Sequence, residues 1–196
     1  MKHFLAILLL ASVAFAEPFS HDGVFANASM GLGYASFENA DGWRSLTADG
    51  LGVKLNGKAG YFVVRNLALH ANLGFVMYSN FREAQLGVST QVDHDFYVMS
   101  SVYLGAGATY YFPEFHNVFL GGSIGFTGYR LNSRKMYGNT GLKAFSFDLD
   151  VGKEWWVSEH VGLGVSLTFD YGESWSDNDG VFRSSALMLM FSVSLN

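Results

Sequence analysis

From residue 22 onward the chain alternates bulky apolar residues with small or polar ones, one for one, over segment after segment. In the clearest of these, Val161, Leu163, Val165, Leu167, Phe169 and Tyr171 hold one phase and Gly162, Gly164, Ser166, Thr168 and Asp170 the other. Successive side chains of a strand point to opposite faces, so a period of two marks a two-faced strand; helical spacing does not occur. The same pattern sets Leu51, Val53, Leu55, Ala59 and Tyr61 against Gly52, Lys54, Asn56, Lys58 and Gly60. It also sets Leu67, Leu69, Ala71, Leu73, Phe75 and Met77 against Ala68, His70, Asn72, Gly74, Val76 and Tyr78.

Eight strands are predicted, near 22–35, 50–63, 67–79, 95–112, 118–130, 142–157, 161–172 and 182–195. Each is long enough to cross a bilayer, which takes a tilted strand about 9–11 residues. Three connections are short (64–66, 113–117 and 158–160), whereas 38–49, 80–94, 131–141 and 172–181 are longer, polar and rich in turn residues. Short turns at one rim and long loops at the other describe an eight-stranded antiparallel up-and-down transmembrane β-barrel.

Composition fits that architecture and excludes others. The chain is 49% hydrophobic and 15% charged, against roughly 25% charged in ordinary soluble domains. Outside the N-terminus no apolar run approaches the ~20 residues of a spanning helix. With no Cys there is no disulfide scaffold, zinc ribbon or lipid anchor on an N-terminal Cys. A net charge of -5, with no basic excess to track a phosphate backbone, makes nucleic acid an unexpected partner.

The first residues read as a leader. Lys2 and His3 precede an apolar run from Phe4 to Phe15, and Ala14-Phe15-Ala16 is a small-x-small cleavage site. A signal peptide over 1–16 and a barrel domain over 17–196 are therefore expected.

Aromatic residues cluster before each short turn: Tyr61 and Phe62, then Tyr110, Tyr111 and Phe112, then Trp155 and Trp156. Rings at one level of a barrel suit a girdle at the membrane interface. Tyr34, Phe37, Tyr78, Tyr129, Tyr171 and Trp175 fall near the opposite rim and suit a second girdle.

Glycine separates inside from outside. Gly31, Gly33, Gly52, Gly60, Gly74, Gly105, Gly107, Gly121, Gly125, Gly152, Gly162 and Gly164 fall in the polar phase, against Gly57, Gly122 and Gly128 in the apolar one. An outer surface of Gly and Ser with few charges is poor for solubility. Small residues suit the narrow interior of eight strands, so the aliphatic face is assigned to lipid.

With these features the chain resembles the small eight-stranded outer-membrane barrel proteins of Gram-negative bacteria, the OmpA/OmpX type. The resemblance rests on the leader, the eight alternating strands, the rim aromatics and a last strand, Leu187 to Asn196, similar to the family's C-terminal assembly signal. The family typically ends in an aromatic residue, whereas here the last aromatic is Phe191. The resemblance implies a monomer in the bacterial outer membrane, contacts with lipid and lipopolysaccharide, and transient handling by periplasmic chaperones and the barrel-assembly machinery.

The inward phase carries Lys54, Lys58, His70, Asp148, Asp150, Glu154 and Asp170. Charges removed from bulk water are costly unless paired, so an internal polar network linking the second strand to the sixth and seventh is predicted. Lys153 falls in the outward phase, where its long side chain can snorkel to headgroups. Arg130, Arg134, Lys135 and Lys143 make the third long loop basic and are candidate contacts for lipopolysaccharide phosphates.

Asp93-His94-Asp95, followed by Ser100 and Ser101, is the best local cluster for catalysis, but Ser101 lies too far along an extended strand. Asp177-Asn178-Asp179-Gly180 imitates part of a calcium loop without the later ligands. No catalytic residue, cofactor or metal site is expected. The function expected is a structural, surface-binding or adhesion role with the long loops outside. A narrow channel, a lipid A-modifying enzyme and a secreted soluble barrel are the alternatives.

Overall fold

The structure, a computed structural model, describes residues 21–41, 44–85, 98–132, 141–176 and 180–195. The expected leader and the Asp93-His94-Asp95 cluster lie outside them, as do Asp177, Asn178 and Asp179. Eight strands form one closed barrel: β1 (Val24–Asp41), β2 (Arg44–Val64), β3 (Leu67–Gln85), β4 (Val98–Phe112), β5 (Val118–Asn132), β6 (Gly141–Trp156), β7 (Val161–Ser176) and β8 (Gly180–Leu195). Each pairs antiparallel with its neighbour in sequence, and β8 closes on β1.

Two of the three short connections are tight because their residues accept left-handed backbone. Asn66 (φ 69°) turns β2 into β3, and a 3-10 turn at Pro113–Phe115 ends in His116 (φ 57°) and Asn117 (φ 60°) before β5. Asn reaches this region more readily than most residues because its side chain can bond locally.

At the other end two of the expected loops, 38–49 and 172–181, are strand over their described residues, and the strands flanking the other two run into them as far as Gln85, Asn132 and Gly141. The β1–β2 ladder runs to Asp41 opposite Arg44, β3 continues to Gln85, and β7 pairs with β8 as far as Ser176 opposite Gly180. Polar composition suggested loops there, but ladder hydrogen bonds need only a partner strand, and beyond the lipid neither face need be apolar.

The register fixes the barrel's shape. A walk across the ladders from Ala35 passes Ala186, Asp170, Asp148, Ser123, Gly107, His70 and Gly60, and returns to β1 at Phe25, ten residues from its start. For eight strands this stagger implies a tilt of about 41° and a radius near ~8 Å, a bore that side chains can fill.

The two phases sort as the glycines indicated. Leu187, Leu189, Phe191, Val193 and Leu195 of β8 are exposed on the outer wall, while Met188, Met190, Ser192 and Ser194 are buried. On β1 the outward band runs from Val24 to Tyr34. At that tilt it stands about 25 Å tall, the height of a hydrocarbon layer crossed by a barrel. Above it the outward positions turn charged, with Glu38, Arg130, Lys143 and Arg183.

Candidate functional site: a filled lumen

The interior is the part of this barrel that its sequence builds with care, and it has three levels. At the short-turn end Phe25, Phe62, Ala68, Tyr111 and Phe119 form a buried cluster. His21, just ahead of β1, closes it from below with its ring stacked 3.8 Å from Tyr111 and tilted 4.8 Å from Trp156. Backbone bonds hold it there: the Asn66 N–H donates to the His21 carbonyl at 3.1 Å, and the Phe62 N–H to the Gly23 carbonyl at 2.9 Å. Tyr111 donates its hydroxyl to Glu154 at 3.3 Å, and Ser194 donates to the same carboxylate.

The middle level is ionic. Lys58 pairs with Asp150, which also accepts from Thr168 at 2.6 Å. Lys54 pairs with Asp170 at 2.6 Å. Asp148 accepts from Asn72 at 2.7 Å and from Ser123, and Ser123 in turn meets the Tyr103 hydroxyl at 2.7 Å. His70 Nε2 lies 3.0 Å from Thr109 Oγ1. These contacts tie β2 and β3 to β4, β5, β6 and β7 across the bore. All seven residues predicted for the lumen, six charged ones and His70, face inward, the most open being Asp170, with 24% of its side chain exposed. Beside Lys58 and Asp150 a cavity of about 20 Å³ remains, room for about one water.

The upper level is aromatic and apolar again. Phe37, Tyr78, Tyr129 and Phe182 pack with Met99, Met188 and Met190, and Tyr129 shares a hydrogen bond with Ser184. Phe37 meets Tyr78 edge-on at 5.0 Å and stacks on Phe182 at 6.1 Å.

Both layers correct the girdle assignment. Tyr61 and Tyr110 are exposed on the outer wall, with Phe112 packed edge-on against Tyr110 and Trp155 half-buried beneath Lys153. Phe62, Tyr111 and Trp156, by contrast, are buried inside, as are Phe37, Tyr78 and Tyr129 of the second set. The reason is the pleat: adjacent residues point to opposite faces, so an aromatic pair sends one ring to lipid and the other into the bore. Tyr34 is exposed and donates to Asp49, and Tyr171 donates to Glu173 at 2.6 Å, near the upper edge of the apolar band.

Of the basic residues assigned to the third loop, Arg130 and Lys143 are exposed at the upper rim, and Arg134 and Lys135 lie outside the described residues. Arg183 and Glu173 lie 3.5 Å apart on the outside there. Among the described residues no three His, Asp or Glu side chains gather as a metal-binding group. Sequence reading missed His21, Phe25 and Phe119 as plug residues, and Asn72, Thr109, Ser123 and Thr168 as the neutral donors and acceptors that complete the network. Their inward phase was the available signal.

No protein-family model and no curated protein sequence matches the chain. Solved structures do. Neisserial surface protein A is similar with a TM-score of 0.55 and 14% identity, over 91% of this chain and 99% of that one. OprG of Pseudomonas aeruginosa gives a TM-score of 0.49 at 8% identity over 89% and 96% of the two chains. Ail of Yersinia pestis, the attachment invasion locus protein, gives 0.43 at 16% over 87% and 99%. At 14% identity, what the chain shares with Neisserial surface protein A is the fold. The closed eight-stranded antiparallel barrel, apolar outside and with an ion-paired layer between two aromatic ones within, thus has the fold of the small outer-membrane barrels, as in Neisserial surface protein A.

Proposed function

We propose that this chain is a non-conducting, non-enzymatic monomer of the bacterial outer membrane that acts at the cell surface, in a structural, binding or adhesive role. A signal peptide cleaved after Ala16 takes it to the periplasm, where chaperones and the barrel-assembly machinery receive it. The observation that carries the reading is the lumen, occupied by two aromatic layers with an ion-paired layer between them. A bore so filled leaves the work to the outer ends of the strands. These run past the apolar band and carry charges of both signs, and on this reading the exposed Arg130 and Lys143 contact lipopolysaccharide phosphates.

The test has three parts. The folded protein in detergent should migrate differently on SDS gels before and after boiling. Protease added to intact cells should cut only between β1 and β2, β3 and β4, β5 and β6, or β7 and β8. Planar bilayers containing the protein should stay silent. Stable conductance steps would replace this reading with the channel. Recovery in the aqueous phase without detergent would replace it with a soluble barrel.

A further inference from the structure

Outside the lumen, one feature of the lipid-facing wall is not explained by spanning alone. Near the short-turn end, a shallow groove of about 310 Å³ runs between β6, β7 and β8. Its walls are Val151, Val165, Leu167 and Leu189, and at its lower end stand Lys153 and Trp155.

Lys153 is out of place on an apolar wall. It sits level with Val118 and Val165 in the ladder, two residues above Trp155 on the same outward phase. Its ammonium rests 5.5 Å from the centre of the Trp155 ring, and among the described residues no carboxylate pairs with it. A cation held over an aromatic face keeps its charge available to an anion on the far side. Short turns of such barrels face the periplasm, so this end lies in the glycerophospholipid leaflet of an outer membrane. An acyl chain alone would be served by an aliphatic wall, and a water-seeking lysine alone by any rim position. The coincidence of a cation, an indole and an apolar trough leading toward mid-membrane asks for one amphiphile with a phosphate at its head.

We propose that this groove binds one anionic glycerophospholipid of the periplasmic leaflet, its phosphate on Lys153 beside Trp155 and an acyl chain along Val151, Val165, Leu167 and Leu189. The site rests on the membrane-spanning reading above but not on the role of the cell-surface rim. It differs in leaflet and in residues from the Arg130 and Lys143 rim, where lipopolysaccharide would bind.

The experiment is native mass spectrometry of the full barrel from neutral detergent, titrated with phosphatidylglycerol and, in parallel, phosphatidylcholine, lipopolysaccharide and inorganic phosphate. The gel shift on boiling is read on the same samples. Wild type and Lys153→Arg should retain one phosphatidylglycerol in preference to phosphatidylcholine. Lys153→Gln should retain it about five-fold less well, the effect of one cation at a membrane surface. Leu167→Trp, which fills the trough, should lower retention of both phospholipids. Equal retention by Lys153→Gln and wild type in folded, heat-shifting samples overturns the site and leaves the barrel standing. So does displacement of the lipid by inorganic phosphate, or a Lys153-dependent preference for lipopolysaccharide. A wild type with no heat shift overturns the site and the membrane barrel together.

Discussion

The Lys58–Asp150 pair offers the sharpest test of how the lumen holds the barrel together. Only 8% and 7% of the two side chains are exposed, and Asp150 also accepts from Thr168 at 2.6 Å. Lys58→Met removes the ammonium while keeping most of the side chain's bulk, and leaves a carboxylate in a poorly hydrated bore. Removing one member of a buried pair costs about 3–5 kcal/mol. The adjacent cavity of about 20 Å³ admits about one water. That partial hydration places the expected loss at the lower end, about 3 kcal/mol. Asp150→Asn preserves an acceptor for Thr168 and strands Lys58, which still has Asp148 as an electrostatic neighbour; a loss of about 2 kcal/mol is expected. The double variant Lys58→Met with Asp150→Asn buries neither charge. It should fall within about 1 kcal/mol of the milder single variant, giving a coupling of about 2–4 kcal/mol. Urea unfolding in lipid vesicles, followed by tryptophan fluorescence and by the heat-shifting fraction on gels, measures all three. Single losses below about 0.5 kcal/mol, or strictly additive ones, would refute the reasoning, because they would mean that water solvates the lumen freely.

Further expectations separate wall from bore. A Cβ on inward Gly125 would come within 2.1 Å of the Leu104 carbonyl, whereas one on outward Gly57 meets nothing within 4 Å. Gly125→Val should therefore destabilise the barrel by about 1–3 kcal/mol and Gly57→Val by much less in the same unfolding assay. Tyr111→Ala, which opens a gap in the lower aromatic layer and takes one partner from His21 and one from Glu154, should cost about 3–5 kcal/mol. It should still give no conductance in planar bilayers, because Phe37, Tyr78, Tyr129 and Phe182 remain above it. Arg183→Ala breaks a half-exposed pair with Glu173. Its effect should stay below about 1 kcal/mol and vanish at high salt.

The sequence by itself determined the number of strands, their order and which phase meets lipid. All three follow from a local period of two, from turn residues spaced along the chain, and from where glycine falls. It also held the facing of each aromatic ring, since Tyr61 and Phe62, or Trp155 and Trp156, cannot point the same way in one strand; clustering along the chain drew attention instead to a shared level. The far ends of the strands were less legible. Once both faces meet water, alternation no longer distinguishes a strand such as Arg44–Asp49 from a loop. The tertiary structure alone decided the partners inside. Lys58 and Asp150 stand 92 residues apart and Lys54 and Asp170 stand 116 apart. Which inward residue meets which depends on the stagger with which eight strands close. That ten-residue offset is a property of the ring as a whole, and no single strand carries it.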